Sequence, residues 1–324
     1  MRIKLIFLIA FLVFASIADA QTDAAGYFIS ANYKRDSGDY AGAIKDYTKA
    51  IELGYTWPNI YNLRGMCRDN VKDYDGAIAD YTKSIELQPF YVYYYNRGLS
   101  RFSKKDFDGA VTDFTKTAEL SLKNADAYFQ LGRAKSEKND LDGAIKDYTT
   151  AIELNPKANA AFYNRGIVRA KKKDFNGAIA DYTNAIELDP TDVEAYKSRA
   201  VAYRALGKAS LAVADEKYTA AISAAKPYLD SAVEKAVAGN PDGAIADLTK
   251  AIELNPRDAN GYLYRGAVRN AKKDYIAAVT DFSKAIEINP RLIDAYKSRA
   301  IAYRALGKID LADANEKKAA ELSK

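Results

Sequence analysis

Six arginines occupy one recurring position in this chain: Arg64, Arg97, Arg165, Arg199, Arg265 and Arg299. Sixteen residues after them stand Asp80, Asp113, Asp181, Asp215 and Asp281, with Asn315 in the last place. A guanidinium beside a carboxylate can serve acid–base chemistry, or it can be a bidentate ion pair that pins two segments together. A catalytic pair is unique in a chain, whereas this one recurs, so repetition assigns it to architecture. Leu131 opposite Asp147 and Ser231 opposite Asp247 show that the pairing is not obligatory.

The other chemistry is narrowed by what the chain lacks. It has no histidine and one cysteine, Cys67. No Ser-His-Asp triad, Cys-His dyad or His/Cys zinc cluster can be assembled within one chain, and no internal disulfide can form. Carboxylate, Lys, Tyr and Ser/Thr chemistry remains, and no cluster outside the repeats suggests it. We therefore expect no catalytic residues, no metal and no cofactor. Cys67 lies between Met66 and Arg68, where a small buried hydrophobe is expected, although Arg68 supplies the cation that a reactive thiol needs. Net charge is +5 with the signs interspersed, which argues against a nucleic-acid partner.

The elements that must position these residues form a repeat. The phrase Gly-Ala-Ile-x-Asp-Tyr-Thr-x-Ala-Ile-Glu-Leu recurs, and its first alanine falls at Ala43, Ala77, Ala110, Ala144, Ala178, Ala212, Ala244, Ala278 and Ala312. The spacings are 34, 33, 34, 34, 34, 32, 34 and 34. A fixed period of this size marks a solenoid. Each period reads as two helices. In the fifth, apolar residues recur at helical spacing from Ala161 to Ala170, and Lys171-Lys172-Lys173 complements the helix C-terminus. Asn176 stands where the N-cap of the second helix is expected, a slot held elsewhere by Asp75, Asp108, Asp142, Ser210, Asp242 and Asp310. The second helix ends at Leu188, because the residue before Pro190 is pushed out of the helical region.

These residues resemble the tetratricopeptide repeat family over about residues 24–324. The family pattern wants an aromatic early in helix A, a small residue four positions on, and an alanine then an aromatic in helix B. Here the first aromatic is present in every unit, from Tyr27, Tyr61 and Tyr94 to Tyr296. Gly65, Gly98, Gly132, Gly166 and Gly266 supply the small residue in five units. The helix B aromatics include Tyr47, Tyr81, Phe114, Tyr148, Tyr182 and Phe282. The resemblance implies an all-α fold, a right-handed α-solenoid of antiparallel helix-turn-helix repeats. Most of the 25 tyrosines are then packing residues and not a ligand site.

The resemblance also implies where a partner would lie. In this family the concave surface is lined by helix A side chains not used in packing, and partners lie there as extended or helical peptides. The positions that fall on this surface include Phe28, Asn32, Asn62, Tyr95, Phe102, Phe129, Arg133, Tyr163, Lys197, Arg204, Lys297 and Arg304. Tyr95, Phe102, Phe129 and Tyr163 form an aromatic middle, of the kind enriched at binding hot spots. Lys197 with Arg204, and Lys297 with Arg304, form basic stations suited to carboxylates. The Lys/Asn/Arg arrangement of the family's known two-carboxylate clamp is absent from consecutive units. The expected function is a non-enzymatic scaffold that binds a protein or peptide ligand. The rival readings are a self-associating structural array of the cell envelope and, less favoured, an enzyme without His chemistry.

The two ends of the chain add location and organisation. Arg2 and Lys4, the apolar stretch Leu5–Ala18, and Ala18-Asp19-Ala20 read as a signal peptide over 1–20, cleaved after Ala20. The apolar run is shorter than the roughly 20 residues that a membrane-spanning helix needs. A periplasmic or secreted protein is expected, with no membrane span after cleavage. Gly143–Lys217 resembles Gly243–Lys317 at an offset of 100, so a three-unit block has been copied. Repeats one to six would occupy 21–223 and repeats seven to nine 224–324. Glu216 replaces the helix B aromatic in the sixth unit, and Lys226-Pro227 opens a degenerate seventh. Both point to a weakly packed joint near 216–228.

Overall fold

The period folds into a repeated pair of antiparallel helices, A then B. The structure, a computed structural model, describes residues 23–323. The predicted signal segment lies outside them. Seventeen helices and no strand occur among the described residues. The first compact unit, up to Asp181, holds α1 (residues 23–36), α2 (Tyr40–Glu52), α3 (Pro58–Asn70), α4 (Tyr74–Leu87) and α5 (Tyr91–Ser103). It continues with α6 (Phe107–Leu120), α7 (Ala125–Glu137), α8 (Leu141–Leu154), α9 (Asn159–Lys171) and the start of α10 (Phe175–Leu188). The second, from Tyr182, holds the rest of α10 with α11 (Val193–Ala205), α12 (Ala209–Val237) and α13 (Pro241–Leu254). It ends with α14 (Ala259–Ala271), α15 (Tyr275–Ile288), α16 (Ile293–Ala305) and α17 (Ile309–Leu322). The expected all-α solenoid is what is found.

The B helices begin two residues earlier than expected. Asp39, Asp73, Asp106 and Asp140 are the N-caps, each accepting from a glycine N–H three residues on. Asp75, Asp108 and Asp142, expected as caps, lie instead in the first turn of the helix. The glycine explains the choice. A Cβ on Gly76 would stand 2.2 Å from Oδ2 of Asp73, so carboxylate cap and glycine go together. Where alanine replaces the glycine, the Asp274–Ala277 bond lengthens to 3.3 Å. Where Leu211 and Leu311 replace it, the cap is Lys208 or Lys308 and makes no side-chain bond. The displaced acids have a different partner. Lys104 pairs with Asp75, Lys138 with Asp108, Lys172 with Asp142 and Lys272 with Asp242. Each pair joins the N-terminus of one B helix to the C-terminus of the next A helix, so both charges complement helix dipoles.

Packing is serial. Small buried clusters follow one another, such as Ala31, Ala43, Tyr47, Ile60 and Cys67, then Ala110, Phe114, Leu131 and Ala134. Tyr47, Tyr81, Phe114, Tyr148 and Phe282 are almost fully buried, each contributing about 2–3 kcal/mol of apolar burial. The helix A glycine makes room for them: a Cβ on Gly98 would lie 2.7 Å from Cε1 of Phe114. Where alanine takes that position, as at Ala200, Ala232 and Ala300, the facing residue is Glu216, Leu248 or Glu316 and not an aromatic. Ala31 with Tyr47 is the exception.

The recurring Arg–Asp motif is the inter-helix tie that repetition implies. Arg97 Nε and Nη2 donate to Asp113 at 3.0 and 2.7 Å, and its Nη1 donates to Thr82 of the preceding repeat at 3.0 Å. Arg101, one turn later, gives Asp113 a second guanidinium at 2.8 Å. The Arg64, Arg165, Arg199 and Arg265 pairs repeat this bidentate geometry. The guanidinium also lies 5.7 Å from the Tyr94 ring centroid, so the invariant helix A aromatic covers the pair. Two repeats differ in the same way. In the first, Ser30 and Lys34 both meet Asp46 at 2.6 Å; in the seventh, Ser231 and Lys235 meet Asp247 at 2.7 and 2.6 Å. Neither has the arginine that would reach back to a preceding repeat. The sixth and ninth repeats carry Lys217 and Lys317 where the other repeats carry a threonine or, at Ser283, a serine.

The seventh repeat does not open with a separate helix. The last B helix of the first six repeats runs without a turn into the next A helix, making α12 a single helix of 29 residues. The other junctions carry Gln-Pro, Asn-Pro or Asp-Pro, or else Gly54 with Trp57-Pro58 or Asn124; here Tyr218–Lys226 is rich in alanine and holds no Gly, Asn or Pro. Pro227 stands inside the helix and removes one backbone donor. Asp215 pairs with Arg199 on α11, while Ser231 and Lys235 bind Asp247 on α13. The same helix thus completes two hairpins.

Candidate protein-binding groove

The A helices line one face. Consecutive A helices touch, α3 with α5, α7 with α9 and α14 with α16, more closely than consecutive B helices do. Their side chains bridge: Asn96 donates to Asn62 at 2.9 Å, and Ser100 to Asp69 at 2.6 Å. Residues spaced i, i+4, i+7 on each A helix share this inner face.

The floor of the first two repeats is polar and internally bonded. Asn32 accepts from the Tyr47 hydroxyl at 2.8 Å, and Arg35 reaches the same oxygen at 3.3 Å. Burial pushes that phenol up to about 12. Asn62 is buried. Asp69 accepts from Tyr81 at 2.7 Å, and burial raises its carboxyl above the usual range despite the donors around it. Phe28 stacks on Tyr55 at 4.7 Å and belongs to the first core cluster. Phe28, Asn32 and Asn62 are thus engaged within the fold. Cys67 beneath them is fully buried, and burial raises its thiol to about 11, so the inert reading holds.

Repeats three to five differ. Tyr95, Phe102, Phe129 and Tyr163 are all half-buried. Tyr95 leans on Phe114 with centroids 5.8 Å apart, Phe129 on Tyr148 at 5.9 Å, and Phe102 on Phe107 at 5.3 Å. Arg133 lies over Phe102 at 4.5 Å and beside Phe129 at 5.9 Å, and its Nη1 donates to Gln130 at 2.7 Å. Tyr95 and Phe102 pack against the same core cluster. Four of the predicted positions, on α5 and α7, therefore form one cluster.

The basic stations are less open than expected. Lys197, Arg204, Lys297 and Arg304 are exposed. Arg204 makes a bidentate pair with Glu216 at 2.9 and 2.7 Å, and this pair lowers the Glu216 carboxyl. Arg304 is held by Asp313 and Glu316 at 2.9 and 2.8 Å, and Lys197 by Glu194 at 2.8 Å. The glutamates that replace the helix B aromatic neutralise the arginines, so Arg204 and Arg304 are not free cationic docking points. The same face of the second unit offers apolar surface instead. Val233 and Val237 of α12 are 55% and 85% exposed and lie in a shallow groove with Tyr264 and Ala267 of α14. Val233, Ala236 and Ala267 hold concave-surface positions in the repeat register, whereas Val237 and Tyr264 lie outside them.

The recurring carboxylates are buried between guanidiniums, and no group of three or more His, Cys, Asp or Glu able to hold a metal occurs among the described residues. No helix among them is long and apolar enough to cross a membrane.

The tetratricopeptide repeat pattern matches residues 24–53, 58–91, 129–193, 181–214 and 229–293. With the hairpins and ties described above, it defines the class: the chain belongs to the tetratricopeptide repeat family. The fold is similar to a tetratricopeptide repeat protein from Parabacteroides merdae, with 17% identity, a TM-score of 0.53, and 87% of this chain and 99% of that one covered. It is similar to the C-terminal part of a TPR repeat-containing protein from Cytophaga hutchinsonii, with 18% identity, a TM-score of 0.52, and 84% and 98% covered. Part of the chain is similar to MamA from Desulfovibrio magneticus RS-1, with 20% identity, a TM-score of 0.51, and 52% and 97% covered. Identities this low speak for the fold alone. No curated protein matches the chain.

Proposed function

We propose that this protein is an exported, non-enzymatic scaffold that holds a segment of a partner protein against the A helices of repeats three to five. The observation that carries the reading is the cluster of half-buried aromatics Tyr95, Phe102 and Phe129 on adjoining helices, beside Arg133. Such rings offer large contact area at small entropic cost. Family membership supports protein binding as the general role. Export rests on the residues before Ala20. Affinity capture from the native envelope should recover a partner that the triple variant Tyr95→Ala, Phe129→Ala, Tyr163→Ala loses while keeping its helical circular dichroism. Equal capture by the variant would sink the groove assignment. Fractionation of cells expressing the chain with and without residues 1–20 tests export; retention of both forms in the cytoplasm would exclude it.

A second reading, self-association, is favoured by the first helix. Ile29 and Tyr33 of α1 are 67% and 76% exposed. Sedimentation velocity decides it, because a scaffold for other proteins remains monomeric across micromolar concentrations.

A further inference from the structure

The groove carries one arginine with no carboxylate partner and no role in the inter-helix ties, and this inference rests on the groove reading above. Among the described residues, the helix-borne arginines other than Arg133 and Arg299 have a carboxylate within 2.9 Å. Arg299 is bound by Asn315 and Ser283, at 3.0 Å each. Arg133 has no acid within 4.0 Å, and its one hydrogen bond is to Gln130. The acids that act on rings of this cluster are Asp126, on Tyr95, and Glu137 and Asp147, on the Tyr148 that backs Phe129.

The position of Arg133 is as telling as its lack of an acid. The equivalent residue in the other repeats is Asn32, Met66, Leu99, Ile167, Val201, Val233, Ala267 or Ile301, none of them charged. Repetition marks the Arg–Asp pairs as structural; by the same logic a single arginine in an otherwise uncharged position is not. Its guanidinium is fixed in place by stacking on Phe102 and by the bond to Gln130. An arginine presents five N–H donors in a rigid plane. Only one of them has an acceptor within the described chain.

We infer that Arg133 receives a side-chain carboxylate from the bound partner segment. The aromatic floor sets the neighbours of that acid. In an extended peptide, residues two apart point to the same side, about 6.6 Å from one another. The segment that fits is thus an aspartate or glutamate with an apolar residue two positions away on one or both sides. The apolar residues lie on Tyr95 and Phe129 while the carboxylate closes on the guanidinium. Chain-internal acids serve as well as terminal ones, since one guanidinium takes one carboxylate.

Fluorescein-labelled decapeptide pools with blocked termini test this by anisotropy on the intact protein. Each pool has Phe or Leu two positions either side of a fixed central residue, with Ala, Ser and Thr elsewhere. The centre is Glu, Gln or phosphoserine. The Glu pool should bind at least about tenfold more tightly than the Gln pool, about 1.4 kcal/mol, at low salt. That advantage should vanish in Arg133→Gln, shrink in Arg133→Lys and fall as salt rises. Phe102→Leu, which removes the stack while leaving the charge, should reduce it too. Lys197→Gln should leave it intact. Equal binding of the Glu and Gln pools, or an advantage that survives Arg133→Gln, overturns the inference and leaves the groove reading standing. Binding of the phosphoserine pool alone overturns the carboxylate assignment. If no pool binds, the groove reading falls and takes this inference with it.

Discussion

Arg299 donates to Asn315 at 3.0 Å in the position where Arg199 grips Asp215 with two bonds. The last repeat has thus kept the donor of the tie and lost its charge. Asn315→Asp should restore the second bond. It should raise the stability of the α16–α17 hairpin by about 1–2 kcal/mol, the scale of a hydrogen bond to a charged group. Native-state hydrogen exchange across Ile293–Leu322 would report the gain, and unchanged protection would show that the asparagine already serves as well.

The glycines opposite the buried Phe114 and Phe282 should resist the extra carbon that Ala31 carries opposite Tyr47 in the first repeat. Gly98→Ala would place Cβ 2.7 Å from the Phe114 ring, and Gly266→Ala would place it 2.6 Å from Phe282. Each should cost about 1–3 kcal/mol by overpacking, read as a lower urea midpoint. The double variant Gly98→Ala, Phe114→Leu should recover part of that loss, because Ala232 with Leu248 shows that the smaller pair packs.

Two aspartates in equivalent positions should respond in opposite ways to substitution. Asp113 is held by two arginines, and Asp113→Ala should cost about 3–5 kcal/mol by stranding both. Asp147 has only Lys135, at 2.7 Å, because Leu131 replaces the arginine, and burial raises its carboxyl. A raised folded value means that the native state binds the proton more tightly than the unfolded chain does. Stability from this group therefore falls as pH rises from the ordinary 3.8 through the raised folded value. Asp147→Asn should be near neutral at pH 7 and should flatten that part of the pH–stability curve. A steeper curve in urea titrations of the variant would contradict this account.

The joint proposed near residues 216–228 has a measurable signature. Lys217 cannot accept the bond that Thr183 accepts from Arg199, and Ser231 gives its one O–H to Asp247. Pro227 deletes a further backbone bond. Hydrogen exchange in α12 should be fastest, among interior helices, between residues 216 and 228. Uniform protection from Ala209 to Val237 would refute a soft joint.

The parts legible in the sequence were those that repeat. The period, the hairpins and the Arg–Asp ties could be read because each residue recurs at a spacing that helix geometry fixes. Asp73 and Asp75 are both acids near the same helix start, and only the glycine N–H three residues on selects the cap. Arg204 read as a free cation because its neutraliser, Glu216, lies twelve residues away and was seen only as a lost aromatic. The seventh repeat was misread because its helix shows itself by the absence of a turn signal. Arg133 holds a groove position in the repeat register, but that it is the groove arginine without a counter-charge required distances.

The unbroken α12 gives the seventh repeat a property that no other junction has. A flexible turn absorbs an inserted residue, but a helix converts it into rotation. One residue added within Tyr218–Lys226 would turn α13, and the hairpins after it, by about 100° and advance them about 1.5 Å. Three or four residues would nearly restore the bearing. The sequence between Asp215 and Ser231 is therefore counted as well as composed, and its length sets the compass heading of the last three repeats.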